Sequence, residues 1–405
     1  MKTFLTALFS GIFLFYPALS WAFPENVRHG YVNCSSCHVN PNGQGLLNDY
    51  GRALSKAIQS NGKFFFEPWV KTTEAQPAAQ AASAASPSKA QDEQDNETQF
   101  LYGYFPRPQW LNLGGDLRFL QLFQNTPTVS SGQFIVMQMD LEAAVTVGKF
   151  TLDATLGRID PSYIGNINPG FSDYILSRRH FLVFQATDEI FLMGGRFWKP
   201  YGILDANHSS TVKEYLGWNF GSESYNLEAG YTGGSLSLLG YVSFGRPDNT
   251  YYQIEKGEGA TASIGFSNSY KAGLSFFHGY TDAYSRNVFG PWGLLGFNDH
   301  FYLNTENDFV LNTPTGADTS TTGFATYNRL GYEWVQGFHT YLEHGFNQLD
   351  LTQASTQIQI YGVGMLYYPR AHWEFEADIQ KRKYGVEPNT QGFTDYLYFQ
   401  MHYYL

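Results

Sequence analysis

The sequence predicts a mainly β protein: an antiparallel barrel that follows a small, mostly irregular or helical N-terminal domain. Only 15% of the 405 residues are charged, whereas Gly, Tyr and Phe occur 41, 29 and 34 times. Aromatic and turn-forming residues favour strands, and an all-helical chain would be richer in Ala, Leu, Glu and Lys. From Phe100 onward, short segments alternate between apolar and polar residues, as strands with two different faces do.

Residues 1–22 have the features of an export signal. Lys2 gives a positive start, Phe4 to Leu19 is apolar, and Ser20-Trp21-Ala22 offers small residues ahead of a cleavage site before Phe23. An uncleaved anchor helix is the alternative. Cleavage is favoured because Pro17 interrupts the apolar stretch, which is shorter than the roughly 20 residues that a membrane-spanning helix needs.

Two regions separate the signal from the alternating segments. Residues 23–70 form the predicted N-terminal domain, with a helical candidate near Asn48 to Gln59 that Asn48 would cap and Asn61-Gly62 would end. Residues 71–99 are rich in Ala, Gln, Ser and Glu and lack aromatic residues. Such a stretch cannot bury a core, so a flexible linker is predicted there, and the barrel takes up residues 100–405.

Alternation is most regular in Met137–Val147, Phe150–Leu156 and Trp373–Ile379, where one face is apolar and the other carries carboxylates. The carboxylates on these polar faces are Asp140, Glu142, Asp153, Glu374, Glu376 and Asp378. A soluble β-sandwich with one wet face is the alternative. A transmembrane barrel is favoured because carboxylates suit a water-filled lumen.

Aromatic pairs are the second feature that favours a membrane barrel, since aromatic girdles mark both membrane interfaces. The pairs are Tyr251-Tyr252, Tyr367-Tyr368 and Tyr403-Tyr404. The size of residues 101–405 suggests an even number of strands, about 14 to 16. The final segment, Leu397 to Leu405, alternates to its end and resembles the closing strand of bacterial outer-membrane barrels.

The two cysteines lie in the run Cys34-Ser35-Ser36-Cys37-His38, which has the spacing of the attachment signature of c-type haem. Two thiols three residues apart can form thioethers with both vinyl groups of one porphyrin, and His38 is then the axial ligand of the iron. A structural disulfide, a redox dithiol and a zinc site are the alternatives. The redox dithiol lacks a βαβ pattern, and a zinc site would need two further ligands, where this domain offers at most His29. One covalent haem c is therefore predicted.

The second axial ligand is predicted to be His29, because no methionine lies between Ser20 and Leu113. A solvated His29, a five-coordinate iron or a barrel histidine such as His208 are the alternatives. Arg28 and Arg52 are candidates to neutralise the haem propionates, or are simply solvated.

An export signal, one haem motif and a barrel in a single chain resemble the fused outer-membrane cytochrome–porins, which include iron-oxidising outer-membrane cytochromes. The likeness rests on Cys34, Cys37 and His38 and on the following Asp49-Tyr50-Gly51-Arg52, which looks like the F-G-R run of such proteins. The resemblance implies an electron-transfer protein in the lipid of the Gram-negative outer membrane. It also implies a periplasmic electron-transfer partner and a small donor such as Fe(II), which would make the chain an iron-oxidising oxidoreductase. A diffusion porin with a haem domain tethered in the periplasm is the alternative, which the predicted linker favours.

The run from Gly194 to Gly202 looks like a strand-end element of the phosphate-selective porin O/P family. Arg196, Lys199 and Lys213 are cations that could draw an anion there, although Gly and Pro at a strand end more often have a structural role. The formal charge of −11 excludes a nucleic-acid partner, which needs a basic face. No acid–base constellation in the sequence supports a peroxidase-like enzyme.

Overall fold

The computed structural model describes residues 24–30, 33–62, 99–105, 107–158, 175–204, 210–218, 221–246, 255–267, 269–385 and 392–405. The predicted export signal, almost all of the predicted linker, Tyr251-Tyr252 and His208 lie outside these residues. None of the helices within the described ranges has the length and apolarity to cross a membrane.

Sixteen antiparallel strands close into one barrel, within the predicted range and with the predicted even number. Each strand pairs with the next along the chain, and β1 also pairs with β16, so the sheet has no open edge. The strands are β1 (Leu111–Asn125), β2 (Ser130–Val147), β3 (Phe150–Arg158), β4 (Ile175–Gln185), β5 (Ile190–Phe197), β6 (Ser224–Gly233), β7 (Leu236–Ser243), β8 (Lys256–Gly265), β9 (Tyr270–Tyr280), β10 (Tyr284–Gly296), β11 (Phe301–Pro314), β12 (Thr321–Val335), β13 (Phe338–Gln348), β14 (Gln357–Tyr367), β15 (Trp373–Tyr384) and β16 (Phe393–Tyr404).

The alternating faces of the sequence become the two faces of the barrel wall. Leu141 and Leu152 point outward and are 54% and 56% exposed, whereas Glu142 and Asp153 point inward and are 2% and 0% exposed. An outer surface of exposed aliphatic side chains would be unstable in water and suits a lipid environment.

The last strand closes the barrel as its sequence predicts. β16 pairs with β15 on one side and β1 on the other, with Tyr403 opposite Leu117. Leu397 and Phe399 face outward and are 42% and 48% exposed.

The predicted aromatic girdle is wrong for Tyr368 and Tyr404. These side chains are 3% and 8% exposed and face the interior of the barrel. The reason is that these strand ends also border an occupied lumen, which buries tyrosines that point inward. Tyr367 follows the alternation of β14 on the outer face, with the exposed Tyr361, and its ring lies 6.4 Å from that of Phe338. Exposed aromatic side chains occur instead at other strand ends: Phe123, Phe134, Phe150, Phe266, Phe297, Phe301 and Trp334.

The connections between strands differ in length at the two ends of the barrel. One end has short turns, such as 148–149 and 336–337, and the other has long connections, such as 159–174 and 198–223. The start of β1 and the end of β16 lie at the short-turn end, since Leu405 N donates to the Gly115 carbonyl.

Residues 24–30 and 33–62, called the N-terminal plug below, fold into short helical turns. Pro24–His29 is a 3₁₀ helix, Asp49–Leu54 is an α-helix (α1), and Ser55–Gln59 continues it as a π turn. Asn48 caps α1 by accepting a hydrogen bond from Gly51 N at 2.9 Å. The predicted helix and its cap are confirmed.

The N-terminal plug lies inside the barrel at its short-turn end. Its polar groups bond to the walls around the circumference, on β6, β12, β16 and the β14–β15 turn. The contacts are Asn42 Nδ2 to Glu228 Oε2 (2.7 Å), Arg28 Nη2 to Glu333 Oε2 (2.6 Å), Ser55 Oγ to Tyr404 OH (2.7 Å) and Asn61 N to the Tyr368 carbonyl (2.9 Å). Contacts on several sides fix the plug across the lumen.

A second segment also folds into the lumen. Residues 198–204 and 210–218, called the inward loop below, follow β5 and include the α-helix Thr211–Leu216 (α2). Tyr201, Leu216 and Trp218 of this loop pack against inward-facing side chains of β7 and β9 to β12. The loop also meets the plug, since Ile203 clusters with Val27.

Candidate haem site

The Cys34–His38 run forms one helical turn of the N-terminal plug. The amides of Cys37 and His38 both donate to the Cys34 carbonyl, at 3.2 and 3.1 Å. His38 also forms an antiparallel bridge with Leu47, and Asn48 N donates to the Cys37 carbonyl at 2.8 Å. This last hydrogen bond joins the start of α1 directly to the Cys34–His38 run.

Gly51 of α1 lies against the motif without room for a side chain. A Cβ on Gly51 would lie 2.3 Å from the Cys37 carbonyl oxygen. This is a physical role for the glycine of the run Asp49-Tyr50-Gly51-Arg52.

Gly51→Ala is therefore expected to push α1 away from the Cys34–His38 turn and to destabilise this contact by about 1–3 kcal/mol. Hydrogen exchange of the amides of residues 34–54 measures the effect as a loss of protection. Gly240→Ala is the matched control, because no atom lies within 4 Å of the Cβ that it adds. Equal protection in both variants would show that Gly51 is not needed for the packing.

Cys34 and His38 line a cavity of about 290 Å³ between the N-terminal plug, the inward loop and the barrel wall. The inward loop contributes Tyr201 and Trp218 to its lining, and the wall contributes cationic and acidic side chains. The cations that line the cavity are Arg118, Arg179, Lys199, Lys213, Lys271 and Arg329. Cys34 and His38 thus place one thiol and one imidazole on this cavity, which are two of the three side chains that the predicted haem motif uses.

The environment of His38 favours a neutral imidazole. Burial lowers the pKa of His38 to about 4, although hydrogen bonding to the Gly45 carbonyl opposes this shift. Nδ1 lies 3.3 Å from that carbonyl oxygen, which sets the tautomer with a proton on Nδ1 and the lone pair on Nε2. A histidine that ligates a metal has the same arrangement.

The thiol of Cys34 is likewise held in its neutral form. Burial raises the pKa of Cys34, against the positive charge of the nearby Lys271. Gly43 leaves space beside it, because a Cβ there would lie 2.9 Å from Cys34 Cβ. Neither Cys34 nor Cys37 forms a disulfide.

Cys37 has a different environment from Cys34. Its side chain is 0% exposed and packs with Leu47, Leu54 and Tyr404. Cys37 does not line the cavity. A thioether at this position would need the Cys37 side chain to turn away from that cluster, whereas Cys34 already faces the cavity.

His29 lies beside Glu333 and not on the cavity that His38 lines. Its Nε2 is 3.6 Å from Glu333 Oε2. Ligation of iron by His29 stays a prediction, and His29→Ala tests it. A low-spin visible spectrum that becomes high-spin would support His29 as second ligand, and an unchanged spectrum would exclude it.

Arg28 and Arg52 hold the N-terminal plug in place instead of facing the cavity. Arg28 Nε and Nη2 both donate to Glu333 Oε2, at 3.1 and 2.6 Å. Arg52 Nη2 donates to Asn112 Oδ1 at 3.2 Å and to the Leu113 carbonyl. These contacts attach the N-terminal plug to β12 and β1.

The inward-facing carboxylates largely form pairs with cationic side chains of nearby strands. The pairs are Asp140 with Arg178 (3.1 Å), Glu142 with Arg179 (2.9 Å), Glu376 with Arg329 (3.2 Å) and Glu374 with His402 (3.1 Å). Pairing offsets the negative charge of these carboxylates. They therefore form a network of ion pairs and not an acidic surface that would attract cations. Within the described ranges, no cluster of three or more His, Cys, Asp or Glu side chains could hold a metal ion.

The sequence did not single out Tyr201, Trp218 or His402 as cavity residues. Tyr201 and Trp218 line the cavity because the chain after β5 turns into the lumen. In the sequence, the Gly194–Gly202 run is the signal of this turn. His402 is on the polar face of the last strand, with Nε2 2.9 Å from Asp116 Oδ1 and Nδ1 3.1 Å from Glu374 Oε2.

No protein-family model and no curated protein matches the sequence. Solved structures do match the fold. OmpT of Vibrio cholerae, in its outer-membrane expressed form, is 12% identical with a TM-score of 0.56, over 73% of this chain and 97% of that one. The outer membrane channel DcaP of Acinetobacter baumannii is 11% identical with a TM-score of 0.52, over 73% and 97%.

An anion-selective porin from Comamonas acidovorans is 8% identical with a TM-score of 0.53, over 73% of this chain and 99% of that one. At such low identities the comparison shows a shared fold, the closed barrel of outer-membrane porins.

Proposed function

We propose that this protein is an outer-membrane cytochrome–porin that carries one covalent haem c inside its barrel and transfers single electrons at or across the outer membrane. The observation that carries the proposal is the cavity in the lumen that both Cys34 and His38 line. The fold of outer-membrane porins and the apolar outer surface support the membrane location. In this location the short-turn end, where the plug enters, would face the periplasm.

The contents of the lumen favour an electron conduit over an open diffusion pore. The N-terminal plug is bonded to several strands around the wall, and the inward loop occupies the lumen beyond it. A haem domain that moved freely on a tether would not need these buried contacts. The predicted linker would then connect the plug to β1 without carrying it away from the barrel.

Each residue of the site has a separate task in this proposal. Cys34 and Cys37 would provide the thioethers, and His38 would present Nε2 to the iron. Haem supplies a one-electron carrier with a potential set by its ligands and surroundings. The barrel wall would keep bulk water away from the haem. The lumen crosses the apolar core of the membrane, through which electrons do not otherwise pass.

A periplasmic electron-transfer protein is the proposed partner at the short-turn end, and Fe(II) is the proposed small donor. The pairing of the luminal carboxylates weakens the idea that they alone gather cations. The donor is therefore proposed from the resemblance to iron-oxidising cytochromes and from the formal charge of −11.

Proteoliposomes test the proposal. The purified mature protein is reconstituted with a redox dye inside and a membrane-impermeant reductant outside, and small-solute leakage is followed in parallel. We expect the wild-type protein to reduce the dye without leakage. The Cys34→Ser/Cys37→Ser variant is expected not to reduce the dye. Leakage without electron transfer would replace the conduit by a diffusion porin, and a haem-loaded barrel that does neither would contradict the proposal.

A further inference from the structure

A buried carboxyl group joins β6 to the N-terminal plug. Glu228 points into the lumen and is 1% exposed, and its Oε2 accepts a hydrogen bond from Asn42 Nδ2 at 2.7 Å. Its other oxygen, Oε1, is buried without a hydrogen-bond partner. Among the residues that the structure describes, no nitrogen of a Lys, Arg or His side chain lies within 4 Å of either oxygen. Burial of an ionised carboxylate without a cation costs free energy, and a bound proton removes that charge.

The immediate surroundings of Glu228 are uncharged. Tyr241 lies opposite it on β7 and Met193 lies opposite it on β5. Asn42 Oδ1, like Glu228 Oε1, is a buried acceptor without a donor. A carboxylic acid can donate a hydrogen bond, whereas a carboxylate can only accept one. A proton on Glu228 would therefore add a donor to a group of oxygens that lacks one.

The charged side chains on this side of the lumen interact with groups other than Glu228. These interactions join Arg196 to Glu223, Arg286 to Glu255 (2.6 and 2.8 Å), Lys199 to Glu255 (3.9 Å) and Lys271 to Cys34. Within the described part of the chain, none of these cations forms an ion pair with Glu228. The charge of this carboxyl group is therefore balanced by a proton or not at all.

Asn42 connects Glu228 with the candidate haem site. Asn42 and Gly43 line the same cavity as Cys34 and His38. A Cβ on Gly43 would lie 2.9 Å from Cys34 Cβ and 3.9 Å from His38 Cδ2. Glu228 thus lies one layer of side chains behind the residues that would hold the haem. In a buried site of low dielectric constant, a change of one charge acts strongly on a neighbouring ionisable group.

We infer that Glu228 is a proton-binding site that is coupled to the redox state of the haem. The inference rests on the proposed function, because it needs a one-electron carrier on this cavity. Uptake of one electron makes the site more negative by one charge, and Glu228 Oε1 then forms an O–H bond with a proton from water. Loss of the electron breaks this bond, and the proton returns to water. One proton thus accompanies each electron.

The pH dependence of the reduction potential tests the coupling. At a fixed applied potential, we expect the reduced-to-oxidised ratio of the wild-type protein to fall as the pH rises. Full coupling gives a tenfold fall per pH unit, which corresponds to 59 mV for one electron. Glu228→Gln cannot bind the proton but can still accept the hydrogen bond from Asn42, so its ratio should stay nearly constant over the same pH range.

Glu214→Gln is the matched control, because it makes the same chemical change at a glutamate of the inward loop that has a cation. The side chain of Glu214 is 50% exposed, and its Oε2 lies 3.4 Å from Arg382 Nη1. This variant should show the wild-type pH dependence. The shift in gel migration on heating shows that each barrel is folded before the titration.

Infrared difference spectroscopy supplies a readout that a merely structural effect on the potential would not produce. The reduced-minus-oxidised spectrum of the wild-type protein should contain the C=O stretching band of a carboxylic acid, because Glu228 gains its proton on reduction. The same band is expected in Glu214→Gln and should be absent from Glu228→Gln.

The outcomes distinguish failure of the inference from failure of the proposed function. If the haem is present and Glu228→Gln keeps the wild-type pH dependence, the inference is overturned and the proposed function stands. A wild-type spectrum without the carboxylic-acid band, or a Glu214→Gln variant that loses the pH dependence as fully as Glu228→Gln, overturns the inference in the same way. If the wild-type protein holds no covalent haem, both are overturned.

Discussion

Replacement of Cys34 and Cys37 together by serine is expected to abolish covalent haem while leaving the barrel folded. Serine is close to cysteine in size, and the barrel is held by sixteen paired strands that do not involve the motif. The expected result is loss of the haem mass from the denatured chain and of the visible spectrum, with normal heat-shifted gel migration.

The single variants refine this expectation. Cys34 faces the cavity, whereas Cys37 packs against Leu54 and Tyr404. Cys34→Ser should therefore lose more covalent haem than Cys37→Ser. Full haem content in the double variant would refute the attachment site itself.

Glu333→Gln is expected to release the N-terminal plug from the wall of the barrel. Glu333 accepts two hydrogen bonds from Arg28, also lies 3.6 Å from His29 and 3.4 Å from His339, and its side chain is 5% exposed. Removal of one partner from a buried ion pair costs about 3–5 kcal/mol, because the remaining charge is left without compensation.

Single-channel conductance in a planar bilayer measures this release, and protease sensitivity of the plug is a second readout. We expect larger or more frequent openings and faster cleavage within residues 24–62 than in the wild-type protein. Asp395→Asn is the control, since it breaks the exposed pair with Lys381, of a kind worth about 0–1 kcal/mol. If Glu333→Gln behaves like Asp395→Asn in both assays, the ion pair does not hold the plug.

The barrel could be predicted from the sequence because its signal is local. In β2, β3 and β15, apolar and polar residues alternate with the period of a strand, and each of these strands lies where the alternation predicts. The inward direction of Glu142 and Asp153 follows from the same pattern, since the polar face of a membrane barrel must point to the lumen. The helix that Asn48 caps is equally local, because its capping residue and its stop are close in sequence.

The contents of the lumen could not be predicted, because they depend on contacts between residues far apart in sequence. Arg28 pairs with Glu333, which lies 305 residues later, and no periodicity encodes this. The sequence predicts Tyr368 and Tyr404 in an aromatic girdle because it does not reveal that the lumen beside them is filled. The carboxylate–arginine pairs across strands were missed for the same reason.

The candidate site was predicted only in part. The spacing of Cys34, Cys37 and His38 predicts the haem chemistry, and the cavity beside Cys34 and His38 came from the fold. The second wall of this cavity, with Lys199, Tyr201 and Trp218, depends on a loop that turns inward after β5.

Anomalous diffraction at the iron edge, from crystals of the mature protein made in cells that attach haem c, tests the central claim most directly. The predicted result is a single iron peak inside the barrel, next to His38 Nε2 and between the N-terminal plug and the inward loop, with continuous density to Cys34. A barrel without iron, or iron on a plug that lies outside the lumen, would contradict the claim that the barrel houses the redox centre.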